Sequence, residues 1–174
     1  ATAAAVFLLG VNPFDQPDVQ KAKDKTKELL STLERGSLPR ETASFRAGGL
    51  AAFSDPALTK ALKASTAAQT PLPEVFETHL KRLKAGDYCA ILAYVSEDDE
   101  TRRRLDALQK QIRRLTTAPV MVEYGPRYLH STGQLYKGGA NNGLYIMIVQ
   151  LGPAELAIPG EAFTFDTLHR AQAR

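Results

Sequence analysis

Residues 87–95, DYCAILAYV, form a near-continuous apolar run that follows Gly86 and ends at Ser96. A run of this length without polar alternation fits a strand buried on both faces. Downstream, Ser96 reads as the cap of a long helix over residues 98–116, where Leu105, Leu108, Ile112 and Leu115 recur at helical spacing. Residues 119–124, PVMVEY, give the next strand, and residues 143–151, GLYIMIVQL, the one after. Strand, helix and strand in this order imply a right-handed crossover and a largely parallel sheet, hence an α/β fold. Ligands of such sheets sit beyond the carboxyl ends of the strands. That rule points to the segment leaving the second strand, GPRYLHSTGQLYKGGANNG, residues 125–143.

Upstream, residues 6–27 read VFLLGVNPFDQPDVQKAKDKTK. The apolar run breaks at Gly10, turns through Asn12-Pro13, and restarts as a helix with Pro17 near its first turn, where a missing N–H costs nothing. This helix is expected to run to about Arg35, with Gly36 ending it and Val19, Ala22, Thr26, Leu29, Leu30 and Leu33 on one side. Lys21, Lys23, Lys25 and Lys27 decorate it, and at about 100° per residue they cannot all face one cleft. Residues 43–55 could supply two short strands around Gly48-Gly49, and Asp55-Pro56 opens a short helix over 56–64. Residues 65–73 are polar and Pro-bounded, the best internal linker. A helix over 74–84 sets Val75, Phe76, His79, Leu80 and Leu83 on one face, which makes His79 a packing or surface residue. Residues 163–174 close the chain as a helix.

A hydrophobic content of 44% in 174 residues is enough for a proper core. The apolar opening over residues 3–9 is too short to span a bilayer, and without a basic flank it does not read as a signal peptide. An Ala-rich start with no initiating Met looks like a helix cut midway, so the chain is expected to be the C-terminal part of a longer polypeptide. The single cysteine, Cys89, excludes an intrachain disulfide and a multi-cysteine metal site, which fits a reducing cytoplasm. Its apolar surroundings favour an inert core thiol. A net charge of +3 permits phosphate binding without demanding nucleic acid. The Arg102-Arg103-Arg104 and Arg113-Arg114 clusters read as a solvated basic face, because no aromatic residues alternate with them to stack on bases.

Residues 129–139, LHSTGQLYKGG, concentrate groups suited to a polar small ligand. His130 can move a proton near neutral pH, Ser131 and Thr132 offer hydroxyls, Gln134 an amide and Lys137 a positive charge. Gly133, Gly138, Gly139 and Gly143 would let the backbone approach a ligand closely. A Gly-rich turn is a weak signal alone, and the alternative is that these glycines only turn the chain while His130 makes an ordinary hydrogen bond.

Two motifs carry a family resemblance. Residues 12–17, NPFDQP, followed by Val19 and Lys23, resemble the C-terminal signature of glucose-6-phosphate isomerases, more closely the version in bifunctional transaldolase/glucose-6-phosphate isomerase fusions. Leu129-His130-Ser131, with Gly133 and Gln134, resembles the motif that carries the ring-opening histidine in bacterial members, and residues 158–165 look like a further family segment. The resemblance implies a sugar isomerase (SIS)-like three-layer α/β fold with a largely parallel sheet flanked by helices. It implies interconversion of glucose 6-phosphate and fructose 6-phosphate through ring opening and a cis-enediolate. Lys23 and His130 would be catalytic, and Gln16, Ser131, Thr132, Gln134 and Lys137 would bind substrate, with neither metal nor cofactor. A cytoplasmic homodimer is implied, with no nucleic acid and no membrane as partner. On this reading residues 1–36 are the helical active-site segment, 37–73 a loop with short elements, and 74–174 the C-terminal α/β subdomain.

Two features depart from the family pattern. The histidine motif follows the NPFDQP helix, an order shared with the fusion-type enzymes, which leaves open whether His130 serves its own subunit or a neighbour. Tyr136 stands where those sequences usually have a histidine. No glutamate lies in a motif matching the family's enediolate base, and no Gly/Ser/Thr-rich phosphate loop is found, so the chain alone is expected to be an incomplete and inactive site. Two alternatives are a non-catalytic sugar-phosphate-binding module of the same fold and a basic nucleic-acid-interaction module.

Overall fold

The computed structural model describes residues 2–12, 17–33, 42–63, 71–150 and 156–173. Helices α1 (Thr2–Leu9) and α2 (Pro17–Leu33) come first, then a hairpin of β1 (Phe45–Ala47) and β2 (Leu50–Ala52), and helices α3 (Pro56–Lys63) and α4 (Leu72–Leu80). The alternating part follows as β3 (Tyr88–Tyr94), α5 (Asp99–Leu115), β4 (Val120–Tyr124), α6 (Gly133–Gly138), β5 (Gly143–Val149) and α7 (Phe165–Ala173). It is a mixed α/β fold in which helices flank small sheets.

The apolar run 87–95 becomes the middle strand of a three-stranded sheet in the order β4-β3-β5, parallel throughout. Cys89 pairs with Val120 on one side and Leu144 on the other, and Ile91 with Val122 and Ile146. Because successive side chains of a strand point to opposite faces, β3 feeds two cores. Cys89, Ile91 and Ala93 pack with Leu80 of α4, Leu105 and Ile112 of α5, Val120 and Ile146. Ala90, Leu92 and Tyr94 pack on the other side with Tyr128, and with Tyr136 and Ala173 at their margin. The helix after β3 and the helix after β4 thus lie on opposite faces, and α2 forms an outer layer against α6 and α7. A satellite core of Leu58, Leu62 and Val75, with Phe45, joins the hairpin and α3 to α4.

Most elements expected from the sequence are present, with corrections where local capping overrides spacing. The cap of α5 is Asp98, not Ser96: its carboxylate accepts from the Thr101 amide at 2.8 Å, satisfying one of the unpaired donors of the first turn. Helix α4 runs over Leu72–Leu80 and not 74–84. Pro71 and Pro73 are tolerated at its start, and after Leu80 the chain tightens and turns at Gly86, whose φ of 90° suits glycine. Asp87 holds that turn by accepting from the Lys84 amide at 2.8 Å. Leu115, expected on the apolar stripe of α5, is exposed in its last turn. The stretch expected as a Gly-rich turn at 129–139 is largely helical, a short 3-10 turn at Arg127–His130 leading into α6.

In α2, Val19, Ala22, Thr26, Leu29 and Leu30 are half-buried while all four lysines are exposed, as the spacing requires. Helix α1 buries no residue, with Phe7 and Leu8 each 84% exposed. The expected helix end at Arg35-Gly36 and most of the linker at 65–73 lie outside the described residues. Among the described residues no helix is long and apolar enough to cross a membrane.

Helix side chains also reach round both sheet edges. Gln109 and Arg113 donate to the Val120 carbonyl at 2.7 and 2.9 Å. On the opposite edge His79 bonds to the Tyr145 carbonyl at 3.0 Å. Arg102 pairs with Glu97 and Asp99, Arg104 with Glu100, and Arg103 donates to the Asp99 carbonyl. These arginines are balanced locally, as a solvated face would be.

Candidate functional site

The site grows from the carboxyl end of β4. The Gly125 amide donates to the Ala93 carbonyl at 2.9 Å, extending the ladder one residue beyond the strand. A Cβ there would stand 2.5 Å from the Tyr94 ring, so the position admits only glycine without a shift. The Gly125-Pro126 bond is cis. The 3-10 turn then carries Arg127, which bonds to Glu97 at 2.7 Å and ties the loop after β4 to the loop after β3. Tyr128 is buried beneath the turn with its hydroxyl 3.3 Å from that of Tyr94. Gly133 opens α6 against the Tyr128 carbonyl, too close for any side chain.

His130 ends the turn, exposed, and no hydrogen bond among the described residues orients its ring. Ser131 is exposed and its hydroxyl donates to the Tyr128 carbonyl at 3.4 Å. Thr132 and Gln134 are half-buried, and Thr132 Oγ1 and Gln134 Oε1 are sequestered from solvent with no hydrogen-bond partner of good geometry. Lys137 is exposed in the last turn of α6. Lys23 is exposed on α2, which packs against α6 and α7. Of the four lysines it lies nearest the buried stripe, about 70° from its middle at 100° per residue. Helix α6, which follows the His130 turn, is therefore a neighbour of the helix that carries Lys23. Gln16 lies outside the described residues.

Sequence reasoning missed an aromatic layer between α6 and the sheet. Tyr88, Tyr136 and Tyr145 make mutual ring contacts at 5.6–6.1 Å between centroids. The Tyr88 and Tyr145 hydroxyls are 2.7 Å apart, and Tyr145 donates to the Tyr136 carbonyl at 3.2 Å. Tyr136 faces the sheet from α6 and donates to Glu123 at 3.4 Å. Burial raises the phenol pKa values of Tyr94, Tyr128, Tyr136 and Tyr145, so near neutral pH they act as uncharged hydrogen-bonding groups. The signal was the presence of all six tyrosines of the chain at or after residue 88, but their convergence depends on the packing of α6.

Helix α7 was also missed as a site element. It returns beneath the β4 loop, where His169 donates to the Gly125 carbonyl at 3.4 Å and stacks edge-on against Tyr94 at 4.9 Å. Between them is an open depression of about 430 Å³ lined by Pro126, Phe165, Asp166, Leu168, His169 and Gln172. It lies beyond the carboxyl end of β4, where parallel sheets hold ligands. Asp166 is paired with Arg170 at 2.7 Å. Among the described residues no cluster of His, Cys, Asp or Glu could hold a metal ion. Comparison with known protein families, with curated proteins and with solved structures finds no match.

Proposed function

We propose that the chain supplies part of a sugar-phosphate isomerase active site, as the C-terminal portion of a cytoplasmic, homodimeric glucose-6-phosphate isomerase of the transaldolase-fusion type with an SIS-like fold. The observation that carries this reading is the packing of α2 on α6, which makes neighbours of the two elements whose sequences resemble the family. His130 and Lys23, both solvent-accessible, would open the sugar ring by exchanging protons at the ring oxygen and the anomeric hydroxyl. General acid/base help of this kind contributes ~10²–10⁴-fold. Ser131 and Lys137 are both exposed, at positions from which they would meet hydroxyl or phosphate oxygens. Thr132 Oγ1 and Gln134 Oε1 are buried without a hydrogen bond of good geometry, and unmet polar groups of this kind cost ~1–3 kcal/mol. A small adjustment of α6 toward a bound sugar would relieve that cost. The base for the C1–C2 proton transfer and the phosphate loop would come from the rest of the polypeptide.

A second reading, a sugar-phosphate-binding module without catalysis, is favoured by the absence of any described group orienting His130. Turnover of fructose 6-phosphate by the longer polypeptide separates the two. With His130→Ala or Lys23→Ala, both at exposed positions, kcat should fall ~10²–10⁴-fold with the fold intact. Unchanged turnover in His130→Ala would remove the ring-opening assignment, and binding without turnover in the wild type would leave the module.

A further inference from the structure

His79 sits where three elements meet. Its Nε2 is 3.0 Å from the Tyr145 carbonyl of β5, and its Nδ1 is 3.5 Å from Arg82 Nη1. A carbonyl can only accept, so in the neutral ring the proton is on Nε2 and Nδ1 keeps a lone pair toward Arg82. The same Arg82 nitrogen is 2.5 Å from Asp55 Oδ2. Asp55 in turn starts α3: its Oδ1 accepts from the Leu58 amide at 2.9 Å and its carbonyl from the Thr59 amide at 2.9 Å. A chain of hydrogen bonds therefore runs from the open edge of β5, through His79 and Arg82, to the first turn of α3. Only one link can change charge near neutral pH, since the guanidinium stays protonated. Proton uptake at Nδ1 would leave two donors facing each other across 3.5 Å.

We propose that His79 is a pH-sensitive clasp: neutral, it joins the sheet edge to the Arg82–Asp55 pair, and protonated, it expels Arg82 and loosens the hairpin and α3 from the sheet. Among the described residues, the charged groups acting on the ring are Arg82 and Asp55, and β5 presents only its main-chain carbonyl. Burial disfavours the imidazolium most, the Tyr145 carbonyl opposes that, and Arg82 reinforces it, leaving the His79 pKa lowered. A lowered histidine pKa means that the open form binds the proton better. The clasp is therefore fully present above the unfolded value of about 6.5 and is lost as pH falls below it. The apolar contact of Leu58 and Leu62 with Val75 does not titrate and keeps the unit attached while it loosens.

Amide hydrogen exchange at pH 7.5 and pH 5, corrected for intrinsic rates, tests this. Protection at Leu58 and Thr59 should fall from pH 7.5 to pH 5, while Ile91 in the sheet centre holds. His79→Gln can still donate to the Tyr145 carbonyl and does not titrate, so its protection should be flat with pH. Arg82→Gln, at an exposed position that does not threaten folding, should be flat as well. A fall that persists in either variant, or one shared equally by Ile91, would overturn the clasp, as would no fall in the wild type.

Discussion

The two faces of β3 bury different chemistry. Toward α5 it presents Cys89, Ile91 and Ala93, which meet Leu105, Ile112, Val120 and Ile146 in a mainly aliphatic core with Phe76 and Tyr124 at its margin. Toward α6 and α7 it presents Ala90, Leu92 and Tyr94, which meet Tyr128, Tyr136, Tyr145 and the neighbouring His169. The first face carries one polar exception at its margin, the Tyr124 hydroxyl, buried without a hydrogen-bond partner. Buried hydroxyls, a histidine at a strand-end carbonyl, and two unmet oxygens at Thr132 and Gln134 all lie on the second. One strand therefore separates a face that supplies stability from a face that could supply chemistry, and the exposed His130 and Lys23 belong to the outer layers of the second.

Stability measurements can break that division. The largest effect is expected on the aliphatic face. Ile91 is fully buried, and Ile91→Ala removes its packing and leaves a cavity at the sheet centre, at a cost of about 2–5 kcal/mol by urea denaturation. Cys89 gives an independent reading of the same face, since it is completely buried and burial pushes its thiol pKa up to about 11. A thiol reagent at pH 8 should react with the native chain only through opening, and Ile91→Ala should accelerate that reaction by the factor its denaturation cost implies. Rapid alkylation of the wild type would show that this face is not closed. A smaller effect is expected from Tyr94→Phe, which keeps the ring and deletes bonds to the Tyr128 hydroxyl at 3.3 Å and the Gln172 carbonyl at 3.1 Å. The Gln172 carbonyl loses its donor, so the cost should be about 1–3 kcal/mol, concentrated in α7. A cost matching that of Ile91→Ala would mean that polar bonds hold both faces alike.

The same contrast explains what was legible in the sequence. Continuous apolar runs and helical spacing identified all three parallel strands and α5, because burial on both faces of a strand leaves a pattern along the chain. The hairpin at Gly48-Gly49 and the Asp55-Pro56 helix start were legible through turn and cap chemistry. Side-chain competition for caps was not: Ser96 and Asp98 both have suitable oxygens, and only the chain path puts Asp98 over the Thr101 amide. The helical character of 133–138 was hidden by glycines, of which the structure uses Gly133 for close packing against Tyr128 and Gly139 to end the helix over Leu135. The packing of α2 on α6, and the return of α7 to Gly125, join segments from about 45 to more than 100 positions apart. No periodicity records such contacts.

The smallest effect should come from Tyr136→Phe, and it sharpens the comparison within the second face. Tyr136 shares the aromatic layer with Tyr94, but it is only half-buried, and its hydroxyl reaches Glu123 at 3.4 Å and the Met121 sulfur at 3.9 Å, both long. Glu123 remains partly open to water, so losing this donor strands no buried charge. The stability cost should stay within about 0.5 kcal/mol, well below that of Tyr94→Phe under the same denaturation protocol. If the two costs prove equal, Tyr136 is a structural anchor of α6, and the helix cannot shift toward a ligand as the unmet oxygens of Thr132 and Gln134 suggest. If Tyr136→Phe is silent, α6 is held mainly by ring packing and by Gly133 against Tyr128. That would leave α6 free to adjust toward a ligand.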